Sequence, residues 1–246
     1  MGAALMRSVR PGSPLARRLA PVLNPLLPER ELHVRVLGGP ARGIRIVIEP
    51  RLEKYYWTGT HELDVQHALV DLLAPGSTFW DIGAHAGFFS LLAARLVGPG
   101  GRVHAFEPLA VNRRRLERSI ELNRVGNVVV SGDAMAREPG SAVLRRHAST
   151  LMGALASGGD GERVRTTTLD DLARRIGAPD VVKIDAEGRE VDVLCGGLRM
   201  LAERRTAVVV ELNRPELLRD ARSIFSSYAF DPLGSEHWLL RPGEAA

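Results

Sequence analysis

The chain has 246 residues, 45% of them apolar and 25% charged, which suffices for one α/β domain with an extension and excludes a disordered chain. The net charge of +4 is lopsided: residues 1–50 hold eight arginines and three glutamates, while the remainder holds 25 basic and 26 acidic side chains, so the body lacks the arginine footprint of a nucleic-acid binder. No apolar run reaches the ~18 residues that cross a bilayer, and the single Cys195 excludes an internal disulfide or a four-thiolate zinc site, so a cytoplasmic protein is expected.

Residues 1–30 are broken by five prolines and carry five arginines, which reads as a basic tail. ELHVRVL (31–37) and GIRIVIE (43–49) alternate polar and apolar residues around Gly38-Gly39-Pro40, the pattern of a β-hairpin. Residues 50–62 show no clear period. Apolar positions from Glu62 to Leu73 fit a helix that Pro75-Gly76 ends.

An alternation of strand and helix follows. STFWDIG, RVHAFEP, NVVVSGD, DVVKID and TAVVVELN read as strands. Between and after them, AGFFSLLAARLV, LAVNRRRLERSIELNR, TLDDLARRIG, GREVDVLCGGLRMLAERR and RPELLRDARSIFSSY read as helices. The stretch 134–166 is less regular, with a short strand at Ala142–Arg145, and FDPLGSEHWLLRP forms a closing hairpin arm. Strands such as VVKI without polar alternation are buried on both faces. The pattern therefore predicts α/β architecture, a doubly wound and mostly parallel sheet of Rossmann-like type with an N-terminal β-hairpin and helix. Ligands on such sheets bind at the carboxyl ends of the strands.

The first of these strands ends in Asp81-Ile82-Gly83-Ala84-His85-Ala86-Gly87, directly before a helix. Small residues admit a ligand to the backbone there, and the helix N-terminus offers free N–H groups. Glu107 ends the next strand, 20 residues beyond Gly87, where a carboxylate can accept both hydroxyls of a ribose. A dinucleotide turn needs a central glycine for the pyrophosphate; here that place falls to Ala84 or His85. Asp81 is a poor neighbour for a diphosphate and a good one for an ammonium. These features favour S-adenosylmethionine over a nicotinamide dinucleotide. Asp133, ending the third strand, is placed to accept from the adenine amino group or to cap a turn.

DIGAHAGFFSL, AFEP, VVKIDAEGREVDVLCGG and the preceding YYWTGTHE together resemble the FkbM family of S-adenosylmethionine-dependent methyltransferases, over roughly residues 43–215. The family usually carries Asn at the place of His85 and an aromatic at that of His61, which marks His61 as a substrate-side adaptation. Glu62 matches a family glutamate and is expected at the cofactor pocket. The resemblance implies methylation of a hydroxyl on a sugar, glycolipid or natural product. The expected organisation is a tail over 1–30, a hairpin and connector over 31–61, and the methyltransferase domain over 62–246.

The fourth strand lacks the Asn/Asp-Pro-Pro-aromatic turn of enzymes that methylate amino groups of bases, and carries Lys183-Ile184-Asp185-Ala186-Glu187-Gly188 instead. Transfer to an alcohol needs a group that removes its proton, and Asp185 and Glu187 are the candidates. A structural role is the alternative: Asp185 could pair with Lys183 or cap the next helix. Glu211 and Asn213 end the fifth strand, Glu211 being expected at the substrate, and with Asp185 they could form an oxygen site for Mg²⁺, which is not the favoured reading. His61 and His147 lie in loops that could reach the pocket, while His237 reads as a packing or surface residue. The competing readings are a nicotinamide-dependent oxidoreductase and a binding protein that keeps the fold without turnover.

Overall fold

The computed structural model of the protein describes residues 27–146, 153–156 and 161–242. Strands β1 (Leu32–Arg35) and β2 (Arg45–Ile48) pair antiparallel as the expected hairpin. Helices α1 (Pro50–Thr58) and α2 (Leu63–Leu72) follow. The central elements are β3 (Thr78–Ile82), α3 (Phe88–Val97), β4 (Arg102–Phe106), α4 (Ala110–Asn123) and β5 (Val128–Ser131). Next come β6 (Ala134–Met135), β7 (Gly140–Arg146), β8 (Gly153–Ala156), β9 (Glu162–Thr167) and α5 (Leu169–Ile176). The chain closes with β10 (Val181–Ile184), α6 (Glu190–Cys195), α7 (Leu198–Ala202), β11 (Ala207–Glu211), α8 (Pro215–Ile224), β12 (Tyr228–Leu233) and β13 (His237–Pro242).

Seven strands form the main sheet in the order β12-β13-β11-β10-β3-β4-β5. The five from β11 to β5 are parallel, and β13 runs antiparallel to both β11 and β12. Every residue of β10 is buried, which explains the lack of polar alternation in VVKI. One face is covered by α2, α3 and the hairpin, whose Val36, Ile44, Ile46 and Ile48 join the core beside Phe79, Leu92 and Val103. The other is covered by α5 to α8 through residues such as Leu169, Leu194, Leu201 and Ala221. Local chemistry agrees with this layering. The Thr168 hydroxyl accepts from the Asp171 amide at 3.0 Å to cap α5, whose first turn is acidic and last turn basic. Strand order reverses between β3 and β10, and the crevice at this switch point opens at the carboxyl ends.

Three expectations are corrected. The featureless segment 50–62 contains α1, which starts on Pro50 at a position where a missing N–H costs nothing. Stretch 134–166 is not a loose loop with one short strand: β6, β9, β7 and β8 form a separate four-stranded sheet in that order. The single helix read over 188–205 is two, broken at Gly196-Gly197. A Cβ on Gly196 would lie 2.3 Å from the Ala136 carbonyl oxygen, so this close approach admits only glycine. The tail up to residue 26, and His147, lie outside the described residues.

Candidate functional site

A cavity of about 490 Å³ opens at the switch point. Its lining brings together His61, Glu62, Gly83, Ala84, His85, Glu107, Asp133, Asp185, Glu187 and Glu211, ten of the positions singled out from sequence. Gly87 and Asp81 are not among them. Gly87, at φ 91°, is held to glycine by packing: a Cβ there would meet Leu116 Cδ1 at 2.3 Å. Asp81 is buried behind the wall, where the Ser90 hydroxyl donates to its Oδ2 at 2.6 Å and Oδ1 has no hydrogen-bond partner among the described residues. Burial pushes its carboxyl up, against the pull of Lys183 and Ser90.

The turn after β3 is set by Gly83, at φ 80°, whose added Cβ would lie 1.9 Å from the Asp185 carbonyl oxygen. The backbones of β3 and β10 are thus in contact where the cavity floor begins. His85 takes φ 51°, a conformation uncommon for a side chain with Cβ, and its amide donates to Glu107 Oε2 at 2.8 Å. The Leu109 amide donates to Glu107 Oε1 at 2.9 Å. Glu107 forms no ion pair among the described residues, and burial pushes it up to about 7 despite these donors. Asp133 differs from expectation: Arg165 Nε and Nη2 donate to its two oxygens at 2.7 and 2.5 Å, so an adenine amino group would share an engaged carboxylate.

Glu62 sits at φ 39° before α2 without capping it. His61 Nε2 lies 3.0 Å from its Oε1 and His237 Nε2 3.2 Å from its Oε2. Burial opposes the charge, but His61, His237 and Lys183 outweigh it and hold Glu62 well below the ordinary carboxyl range. His237, read from sequence as a packing residue, therefore belongs to this cluster. Sequence reasoning also missed Glu53, Asn112 and the role of α1. Glu53 is buried against Arg115 and lies 3.1 Å from His85 Nδ1, while Tyr56 stacks on Phe88 with ring centroids 5.0 Å apart. Glu53 and Arg115 are far apart in the chain, so no local spacing could signal the pair. Tyr55 and Tyr56 line the cavity; Trp57 does not.

At the other end, Lys183 Nζ lies 3.2 Å from Asp185 Oδ2. Burial disfavours this ammonium, yet Asp185, Asp81 and Glu62 hold it charged above its usual range. Capping of the following loop falls to Glu190, whose Oε1 accepts from the Ala186 and Gly188 amides at 3.0 and 2.9 Å. Glu187, at φ 53°, is pushed up to about 7 by burial and by Asp185. Burial and Asp185 push Glu211 up to about 8.

These carboxyls set the pH dependence of the ligand-free protein. Glu107, Glu187 and Glu211 bind protons in the folded state that an unfolded chain would release from about pH 4.5 upward. Stability is expected to fall as pH rises from about 5 to 8, Glu107 alone contributing roughly 3 kcal/mol. A thermal-melt series rising over that range would contradict the burial of these acids.

The reversed strand order, the antiparallel β13 and the cavity at the parallel strand ends define a Rossmann-like class I methyltransferase fold. A family model for the methyltransferase FkbM domain matches residues 81–232. Among solved structures, methyltransferase FkbM from Methylobacillus flagellatus KT aligns with a TM-score of 0.51 at 17% identity, over 71% of this chain and 50% of that one. Ribosomal protein L11 methyltransferase of Geobacillus thermodenitrificans (strain NG80-2) is 33% identical over 92 residues, 37% of this chain and 29% of that protein. The chain thus spans half or less of the length of these two relatives. It belongs to the FkbM methyltransferase family.

Proposed function

We propose that the protein is an S-adenosylmethionine-dependent O-methyltransferase that acts on a hydroxyl of a sugar, glycolipid or natural product. The observation that carries this reading is the acid-rich lining of the cavity: among the described residues seven carboxyl side chains line it, of which Glu53 and Asp133 pair with Arg115 and Arg165 and Asp185 with Lys183, while Glu62 is held firmly as a carboxylate. Such a lining suits a ligand bearing an ammonium and a sulfonium and opposes a diphosphate, which disfavours the nicotinamide alternative. Glu107 is a buried acid that forms no close ion pair among the described residues, and two backbone amides hold its oxygens at the cavity wall, so ribose hydroxyls would add donors to it. Glu62 would take the amino group, the 83–85 turn would offer its backbone, and Asp133, shared with Arg165, would meet the adenine. Asp81, behind the wall, would act through the electrostatic field alone.

S-adenosylmethionine, when bound, supplies a methyl group on a cationic sulfur. The chain's own residues then have to orient an alcohol and take its proton. Asp185, with the Lys183 ammonium 3.2 Å from its Oδ2, orients the hydroxyl. Glu187, with an affinity for protons matched to neutral pH, accepts its proton. Tyr56, Phe88 and Phe89 wall the site with apolar surface and limit water.

The ligand atoms of Asp185, Glu190 and Glu211 lie within 4.8 Å of one another, a Mg²⁺-like donor set in kind. They do not fit a resident divalent ion, because Lys183 already neutralises Asp185 and one Glu190 oxygen is committed to two amides. Turnover is expected to be unchanged by excess chelator; a loss restored by Mg²⁺ would reverse this reading. Calorimetry tests the function itself: micromolar binding of S-adenosylhomocysteine with none of NADH supports it, and the reverse rejects it. Asp185→Ala is expected to cut methyl transfer at least about 100-fold; an unchanged rate, measured by mass spectrometry of the product, removes Asp185 from the mechanism.

A further inference from the structure

The register of the central strands places side chains in two rows on one face of the sheet. Asp81, Lys183 and Val209 are neighbours in one row. Two residues further along each strand, the register carries on from Ile184 and Val210 to bring Asp185 beside Glu211, whose antiparallel partner on β13 is His237. Neighbouring strands are about 4.8 Å apart, so two carboxyls on one pleat face each other directly. A carboxyl oxygen of Glu211 and one of Asp185 lie within 4.8 Å of each other. Two carboxyl groups that close favour sharing one proton, since two bare carboxylates repel. Lys183, against Asp185 Oδ2, decides which partner carries the charge.

We propose that Glu211 is a positioning residue of the methyl-transfer site, a carboxylic acid whose proton bridges to Asp185 and fixes the carboxylate that orients the acceptor hydroxyl. The inference rests on the methyl-transfer reading above and changes the role expected for Glu211, from contacting substrate to acting through Asp185. No bond to Glu211 is made or broken during transfer. The alcohol oxygen takes the methyl, its proton passes to Glu187, and the Asp185–Glu211 pair keeps its own proton throughout.

The charged surroundings favour the acid form. Burial disfavours a negative charge at Glu211 most, and Asp185, Glu62 just before α2 and Glu190 from α6 all add to it. Glu187 lines the same cavity, and His237 is the β13 neighbour that Glu62 engages. Loss of the bridging proton above about pH 8 releases Asp185 and leaves adjacent carboxylates in repulsion. Methyl transfer is therefore bell-shaped in pH. Its acid limb belongs to Glu187 and its alkaline limb to Glu211.

Carbon-13 NMR of protein labelled at the glutamate side-chain carboxyls reads the pair directly. A resonance absent from Glu211→Gln should titrate near pH 8 in the wild type and drop by about one unit or more in Asp185→Asn. Should that variant not fold, Glu62→Gln gives a smaller shift in the same direction. A Glu211 midpoint below about 5.5, or one unmoved by the variant that folds, overturns the proposal. Kinetics give a second readout, with a panel of glycosides and hydroxylated lactones as acceptors. Glu211→Gln keeps a donor to Asp185 and should lose the alkaline limb, whereas Glu211→Ala should lose more than about tenfold at every pH. An alkaline limb that persists in Glu211→Gln rejects the positioning role while transfer stands. A wild type that methylates none of the panel, with the carboxyl titration as expected, instead rejects the function.

Discussion

Replacing Arg115 with methionine should lower the unfolding free energy by about 3–5 kcal/mol and the melting temperature by roughly 10 °C. Arg115 is 1% exposed on α4, and its guanidinium bonds the Glu53 carboxylate of α1, the Val47 carbonyl of β2 at 3.4 Å and Asn112 at 3.4 Å. Removing it leaves a buried carboxyl without its guanidinium partner, which is the costly half of breaking an internal ion pair. Burial already raises Glu53 above its ordinary value, and loss of the Arg115 charge would raise it further. Because Glu53 also lies 3.1 Å from His85, the turn that lines the cavity would loosen with it. A Glu53→Leu/Arg115→Met pair should recover most of the stability without restoring that turn. Denaturant melts of the single and double variants check this: a single variant as stable as wild type would show that the pair fixes nothing.

The pair also shows where sequence reading stops. The strands VVKI and AVVVEL are legible because burial on both faces leaves no other composition, and Glu107 is legible because its distance from the 83–87 turn is a property of one βαβ unit. Glu53 is joined to Arg115 across 62 residues, and His237 reaches Glu62 from the last strand, so neither contact leaves a local period. Strand β6 has two residues and pairs with β9, more than two dozen positions later, which no alternation over so short a run can announce. The break between α6 and α7 was carried by Gly196-Gly197, but the pair's meaning depends on the Ala136 carbonyl approaching from another element. Motif reasoning placed Asp81 at the ligand because spacing along a strand shows proximity to a turn without showing which side of the wall a side chain occupies.

Glu107→Ala should weaken S-adenosylhomocysteine binding about 100-fold, close to 3 kcal/mol, while methyl transfer at saturating cofactor falls far less. Glu107 is the buried acid of the cavity whose oxygens are oriented by two backbone donors, His85 and Leu109, so its direction survives without a ligand. The sign of the pH effect follows from its position near 7. In the free protein the group is increasingly protonated below that pH, and a ligand that donates two hydroxyls favours the charged form, so affinity should weaken by up to about tenfold per unit as pH falls. Above pH 8 the dependence should vanish. Glu107→Gln should bind weakly and without this slope, because an amide presents one acceptor oxygen and cannot ionise. Calorimetry across pH 5.5 to 8.5, an interval of about three units around that midpoint, distinguishes the outcomes. An affinity that is flat in the wild type, or a slope that persists in Glu107→Gln, would move the ribose contact to another acid of the cavity.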